Sequence, residues 1–472
     1  MTAIELPRQA RRSWWLEEAL ALPAFAGPEA PPLEGDVMAD VVVLGGGYTG
    51  MWSAWFLKER EPDLDVAILE ADICGGGPSG RNGGFLNGEY DEADVLIERH
   101  GDEGRRTVEL FARAIDEIGA WCVANGVDAW YERPGQLGVS TNPAHDDRVV
   151  RTVEWARGLG YGHVYEPLTN EQLRSRFDSP VVRDGFRVTH GGTVHPARLA
   201  RGLRNALLAR GVRIYEGTPV LRFNATTATA ETSGGTVRAR RAIVGLNAWA
   251  RSWRAFRRSL LIRGTYIAIT APAPEALETM GWTGGEGVYD MLAALHYVRP
   301  TKDGRVAFGG AGFRASGGDA DHQQYRFHER SVAMLVRDLR RWLPAFEGVP
   351  VEAAWGGPID VSALTLPFFG TLPGGATHYG LGFTGNGVGP CHLAGRILSG
   401  LALGVEDEAT TLPICDGDRV RFPPEPLFAA GEWLVSRAII RRDERLDAGR
   451  RPGILTDLLA RVPRRLGYNL GP

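Results

Sequence analysis

Ala39-Asp40-Val41-Val42-Val43-Leu44-Gly45-Gly46-Gly47-Tyr48-Thr49-Gly50 is the stretch whose reading decides the fold. Four aliphatic residues in succession, Val41 to Leu44, read as a strand buried on both faces, as in a parallel sheet covered by helices. The run ends in Gly45-x-Gly47-x-x-Gly50, after which Ala54 and Leu57 share one face of a helix. Val66-Ala67-Ile68-Leu69 reads as the next strand and is closed by Glu70, 20 residues past Gly50. Together these form one βαβ unit carrying a dinucleotide fingerprint. Gly45 allows the tight turn, Gly47 lets the backbone approach a pyrophosphate, and Gly50 lets helix and strand pack closely. Tyr48 and Thr49 open a helix whose free N–H groups and partial positive charge suit phosphate. Glu70 would accept the ribose hydroxyls and repel a 2′-phosphate, which disfavours NADP.

Two further segments bear on which dinucleotide is held. Pro78-Ser79-Gly80-Arg81-Asn82-Gly83-Gly84 follows the acidic residue and can lay its backbone along a pyrophosphate and an isoalloxazine. Near the C-terminus, Gly380-Leu381-Gly382-Phe383-Thr384-Gly385-Asn386-Gly387-Val388-Gly389-Pro390 leads into a helix over 391–402. A helix N-terminus aimed there would stabilise negative charge on a reduced flavin. Taken alone, it also reads as an ordinary strand–helix turn.

This combination resembles the D-amino-acid-oxidase-like superfamily of FAD-dependent amine oxidoreductases. The residues that carry the likeness are Gly45 to Gly50, Glu70, Ser79-Arg81-Asn82-Gly83-Gly84 and Gly382 to Val388. The Ser-Gly-Arg-Asn-Gly-Gly loop, Trp355-Gly356-Gly357 and the Trp14-Trp15 pair are most similar to the gamma-glutamylputrescine oxidoreductases within it. The resemblance spans residues 12–405. It implies an α/β fold: a Rossmann-type FAD-binding domain with an inserted mixed-sheet α+β substrate domain, the glutathione-reductase-like FAD fold. The expected division is a lead-in over 1–35, FAD-binding pieces at 36–125, 191–254 and 351–415, substrate-domain pieces at 126–190 and 255–350, and a helical extension over 416–472. The resemblance further implies that the backbone of Val220 holds adenine, and that Gly382, Thr384, Gly385, Asn386, Gly387 and Val388 flank the flavin. Relatives with covalent flavin carry a Cys just before the late turn, where this chain reads Trp-Gly-Gly-Pro-Ile-Asp-Val-Ser, so noncovalent FAD is expected. Asn386 stands where relatives often carry His, and it can donate to the flavin edge but cannot titrate near neutrality.

The implied reaction is oxidation of a C–N bond in a primary or secondary amine or amino acid. Hydride passes to flavin N5, giving an imine that hydrolyses to an aldehyde or keto product. Such chemistry needs placement and water exclusion rather than a dedicated base. An FAD-dependent oxidoreductase acting on a C–OH substrate or in a tailoring pathway is the alternative, and a non-enzymatic nucleotide-binding protein a third reading. Wall candidates are Arg81, Tyr297, Arg299 and Trp355. In His296-Tyr297-Val298-Arg299-Pro300, alternation puts Tyr297 and Arg299 on one face, with Arg299 reaching a substrate carboxylate or pairing with an acidic residue at the domain interface. His296, on the other face, reads as structural. Trp355 either abuts the flavin or packs in the core. Arg263 and Arg314 are further pocket cations.

Composition sets the outer limits. The chain has 472 residues, 62 of them Gly, and a net charge of −4, so nucleic acid is not an expected partner. Only Lys58 and Lys302 among 53 basic residues are Lys. The resemblance to sarcosine-oxidase-like enzymes implies a Lys against the flavin for reaction with oxygen, but Lys58 falls on the Rossmann helix and Lys302 in a hairpin turn, so O2 or another electron acceptor stays open. Cys74, Cys122, Cys391 and Cys415 lack metal-ligand or disulfide-framework spacing, and no metal is expected. Arg11-Arg12 is followed by Glu17, Glu18 and Pro23 rather than an apolar run, and no window reaches membrane-span length, so a cytoplasmic protein is expected. The Arg-rich stretch 432–451, interleaved with Asp443, Glu444 and Asp447, reads first as a solvated, ion-paired face, with membrane or dimer contact the other reading. Oligomeric state is not legible.

Overall fold

A computed structural model describes residues 6–88, 90–292, 295–311, 319–415 and 419–470. The strand Val37–Leu44 lies at the centre of an eight-stranded sheet. It pairs in parallel with Val66–Leu69 on one side and Thr236–Val244 on the other, with Arg213–Tyr215 and Thr377–Leu381 extending the parallel core. Val41 to Leu44 are buried because helices Tyr48–Arg60, Pro196–Ala209 and Pro390–Leu403 cover one face, while Leu33, Val237 and Phe256 pack on the other. A side chain at Gly50 would bring its Cβ to 2.0 Å from the Gly45 carbonyl oxygen, so glycine there lets the helix lie against the strand.

The second sheet has nine strands: Arg8–Gln9, Val351–Val361, Leu261–Thr270, Val306–Ala311, His296–Pro300, Gly287–Asp290, Gln136–Ser140, Asp184–Val188 and Tyr165–Pro167, in spatial order. Most pairs are antiparallel. The helix Glu329–Trp342 covers one face through Leu335, Leu339 and Trp342. One boundary differs from expectation. Residues 351–361 were expected among the FAD-binding pieces, but they pair along their whole length with Leu261–Thr270 in this sheet. The consecutive apolar residues Ala353, Ala354 and Trp355 suit a strand buried on both faces in either sheet, so only the pairing partner assigns it.

The lead-in is built into the body. Ser13 caps the helix Trp14–Ala21 and donates to the Gly80 carbonyl at 2.6 Å. Trp15 is fully buried, edge-on to His195 and Trp355. Trp15→Ala is expected to cost about 3–5 kcal/mol, the range for removing a large buried aromatic, and to lower the thermal midpoint. Calorimetry of the flavin-loaded protein checks this.

His296 is structural. Its Nδ1 lies 2.8 Å from Asp290 Oδ2 and its Nε2 3.6 Å from Asp338 Oδ2. Burial disfavours the imidazolium, but the two carboxylates outweigh it and raise the pKa to about 10. The folded pKa thus exceeds the unfolded value of about 6.5. Its stabilisation is complete below about pH 6.5 and is lost as pH rises through about 10. His296→Gln should lower the thermal midpoint near neutrality and flatten its fall between there and pH 10, measured by a pH series of melts.

Candidate active site

The carboxyl ends of the parallel strands open into a cavity of about 1350 Å³ that runs between the two sheets. Its lining falls into three groups by element. Leu44, Gly45, Glu70, Thr218, Val220, Leu246 and Trp249 come from the ends of the Rossmann strands and their loops. Gly47, Tyr48, Thr49, Ser79, Arg81, Asn82, Gly83, Gly356, Gly357, Thr384, Gly385, Asn386, Gly387 and Val388 line its middle. Asn87, Asp91, Gln136, Arg263, Thr265, Tyr289 and Tyr297 line a chamber on the side of the second sheet.

The first two groups fit a dinucleotide. Gly45 has a φ of +102°, a conformation that favours glycine. The helix Tyr48–Arg60 begins at Gly47 with no side-chain cap, which leaves N–H groups for an anion. Ser79 Oγ accepts from the Tyr48 amide at 2.8 Å, fixing the second loop against the helix end. Glu70 accepts from the amides of Gly46 at 2.8 Å and Asp72 at 2.9 Å, which holds it at the cavity edge with lone pairs to spare. Burial raises its pKa, and these two backbone bonds oppose the rise.

The Arg81 loop is held from several sides. Arg81 Nε donates to the Gly76 carbonyl at 2.8 Å, and Nη1 to Gly356 at 3.2 Å. Burial lowers its pKa to about 10, with the nearby Arg326 charge adding to the drop. Asn82 Oδ1 accepts from the Gly84 amide, and its Nδ2 donates to the carbonyls of Pro78 and Ser79. The late turn is fixed by a residue that the sequence reading passed over, Asp360. It is buried, accepts from Asn247 Nδ2 at 2.9 Å and from the Gly382 amide at 2.5 Å, and its pKa is raised to about 6 by burial. Gly382 itself stands behind the cavity wall, as does Gly50. The helix Pro390–Leu403 begins at Gly389 without a side-chain cap.

Two expected wall residues lie elsewhere. Arg299 is buried, and its guanidinium donates to the carbonyls of Gly83 at 2.6 Å and Val194 at 2.8 Å, with Trp15 stacked 5.0 Å away. It shares a face with Tyr297 as alternation requires, but it passes beneath the loop and positions Gly83 rather than meeting a carboxylate or an acidic partner. Trp355 is fully buried and donates from Nε1 to the Arg81 carbonyl at 2.8 Å, so it supports the loop from the core side. Tyr297 does line the chamber, edge-on to Phe85, and burial raises its pKa. Arg314 lies outside the described residues. Lys58 donates to the Leu64 carbonyl and Lys302 lies 3.7 Å from Glu132; neither lines the cavity.

Arg263 takes the position expected of Arg299. It faces the chamber with Thr265, and its guanidinium has no hydrogen bond or ion pair among the described residues. Burial lowers its pKa, and only the more distant Glu432 opposes this. Asp91 faces the same chamber, accepts from Tyr165 Oη at 2.6 Å, and has its pKa raised by burial. Ser436, Ile439, Asn469 and Leu470 bring the C-terminal extension into the cavity wall. Arg263 and Thr265 were readable as two polar positions alternating into an apolar strand. Asp91 and the C-terminal residues carry no local signal.

A family model for FAD dependent oxidoreductases, the DAO family, matches residues 40–401, and the chain belongs to that family. Among its relatives, the gamma-glutamylputrescine oxidoreductase of Escherichia coli K12 is 32% identical over 81% of this chain and 88% of its own. A probable oxidoreductase OrdL of Rhizobium meliloti is 30% identical over 87% of this chain and 94% of its own. Among solved structures, glycine oxidase from Geobacillus kaustophilus superposes with a TM-score of 0.69 at 21% identity, covering 81% of this chain and 99% of that one. The protein is therefore an FAD-dependent oxidoreductase with the glycine-oxidase fold.

Proposed function

We propose that this enzyme oxidises the C–N bond of an amine or amino acid that carries a carboxylate, using noncovalently held FAD. The carrying observation is the Arg263 guanidinium, which lines the chamber beside the glycine turns and has no hydrogen bond or ion pair among the described residues. A buried cation without a partner is costly, and a carboxylate ligand removes that cost through paired charge-assisted hydrogen bonds. The activity named for the E. coli relative supports the amine part of the reading. FAD bound against the glycine turns supplies the two-electron acceptor.

The chain's own residues then place and enclose the substrate. Arg263 anchors the carboxylate, and Tyr297 and Tyr289 supply flat walls that orient the carbon to be oxidised. Ile439 and Leu470 close the chamber against water. The uncapped start of Pro390–Leu403 would favour negative charge on a cofactor held at the late glycine turn. Holding the substrate amine neutral is sufficient activation, and no side chain is assigned as a base. Cys391 lines the cavity, but it stands past the late turn and 3.2 Å from Thr49 Oγ1, so its thiol is engaged in the helix packing.

Matched amine and hydroxy compounds, each with and without a carboxylate, test the reading. Trapping the carbonyl product as a hydrazone should yield product from the amines and not from the hydroxy compounds, with the carboxylated amines turning over at much lower concentration than their counterparts without a carboxylate. Product from the hydroxy acids alone would replace C–N with C–OH oxidation.

A further inference from the structure

Residues past Cys415 lie outside the segment that defines the family, 40–401. They form the helices Leu427–Asp447, Ile454–Ala460 and Val462–Arg465. Their inner face joins the cavity wall, and Ala438, Ile439 and Ala460 are buried between them. Their outer face is apolar and basic. Leu427 and Leu434, seven residues apart, are 68% and 43% exposed, and Arg441 continues the same stripe. Trp433 is 58% exposed, with the Arg437 guanidinium 4.8 Å from its ring centroid. On the next helix Ile454, Leu455 and Leu458 are 83%, 71% and 42% exposed and share a face with the exposed Arg461. Seven of the fifteen large apolar side chains exposed among the described residues fall within 427–466, so the patch is a concentration rather than ordinary scatter.

The charge is segregated too. Residues 419–472 hold eleven Arg against six Asp and Glu, on a chain whose net charge is −4. Part of the acid count turns inward: Asp443 is buried beside Arg442, and Asp457 also bonds Arg442. Arg437, Arg441 and Arg445 are exposed on the outside. The solvated, ion-paired face expected from the sequence holds around Asp457, which also pairs with the exposed Arg461 at 2.8 Å, whereas Arg437 and Arg441 have no ion pair among the described residues. Apolar side chains interleaved with arginine on short helices are the composition of segments that lie in a lipid interface. A second copy of the chain would cover the apolar residues but would bring these arginines against one another. Among the described residues no helix is long and apolar enough to cross a membrane, so the contact is with a surface.

We propose that the outer face of the C-terminal helices docks this protein flat on an anionic lipid bilayer. The flavin-loaded full chain should sediment with phosphatidylcholine vesicles that contain phosphatidylglycerol, stay in solution with phosphatidylcholine alone, and be released by salt. Two variants, Ile454→Ser with Leu455→Ser and Leu458→Ser, and Arg437→Glu with Arg441→Glu, should each weaken binding by at least about tenfold. Flavin absorbance and turnover should not change in either. The proposal fails if the wild type ignores anionic vesicles at low salt, or if both variants bind as well as it does. It also fails if light scattering finds a dimer that the serine variant turns into a monomer, which would make the face a self-interface.

Discussion

Gly50→Val should yield a colourless protein. The added Cβ lies 2.0 Å from the Gly45 carbonyl oxygen and 2.9 Å from Val43 Cγ1. The first is backbone in the fingerprint turn and the second is fully buried, so neither can give way cheaply. The helix Tyr48–Arg60 must move off its strand, and its uncapped N-terminus leaves the pyrophosphate position. FAD affinity is expected to fall at least about a hundredfold, roughly 2.7 kcal/mol. Flavin titration of the apoprotein measures this directly. Gly158→Ala is the control: a Cβ there meets nothing within 4 Å, and it should bind FAD like the wild type.

The second large effect is expected at Arg263. Arg263→Met should raise KM for a carboxylated amine by about thirtyfold or more, since removing one partner of a buried, hydrogen-bonded charge pair costs roughly 2–5 kcal/mol. The matching amine without a carboxylate should lose little, because Arg263 touches only the part it lacks. Arg263→Lys should recover part of the loss, short of the bidentate contact that only guanidinium makes. Steady-state kinetics on the paired substrates separate these outcomes. Equal losses on both substrates would make Arg263 a packing residue.

The cofactor half of the site was legible because it is local. Gly45, Gly47, Gly50 and Glu70 lie within one βαβ unit, and their spacing is set by the geometry of a strand, a turn and a helix. The Arg81 loop and the late glycine turn were legible through resemblance. The substrate half depends on pairing between distant strands. Alternation correctly put Tyr297 and Arg299 on one face, but it could not show that the 78–84 loop crosses that face between them and takes the guanidinium for its own carbonyls. The same register problem put Val351–Val361 with the wrong sheet. Arg263 lines the chamber as a pocket cation and Trp355 takes the core alternative of its two readings: one strand carries a polar residue to the chamber, and the adjacent one turns its Trp to the core. Asp360 was missed because a lone Asp in an apolar run has no pattern, although its burial between Asn247 and Gly382 ties two cofactor turns together. Of the C-terminal residues in the cavity wall, Ser436 and Ile439 come from a helix that leaves apolar residues outside, and Asn469 and Leu470 from the irregular segment after the last helix, neither of which carries a local signal.

One measurement bears most directly on the reading of this protein as a noncovalent FAD amine oxidoreductase. The purified enzyme is titrated anaerobically with carboxylated amines while its visible spectrum is followed, and a parallel sample is acid-precipitated. The flavin absorbance should bleach with an amine and not with its hydroxy analogue, and the yellow colour should pass to the acid supernatant. Bleaching by hydroxy acids alone, colour retained in the pellet, or a protein that never takes up FAD would each contradict it.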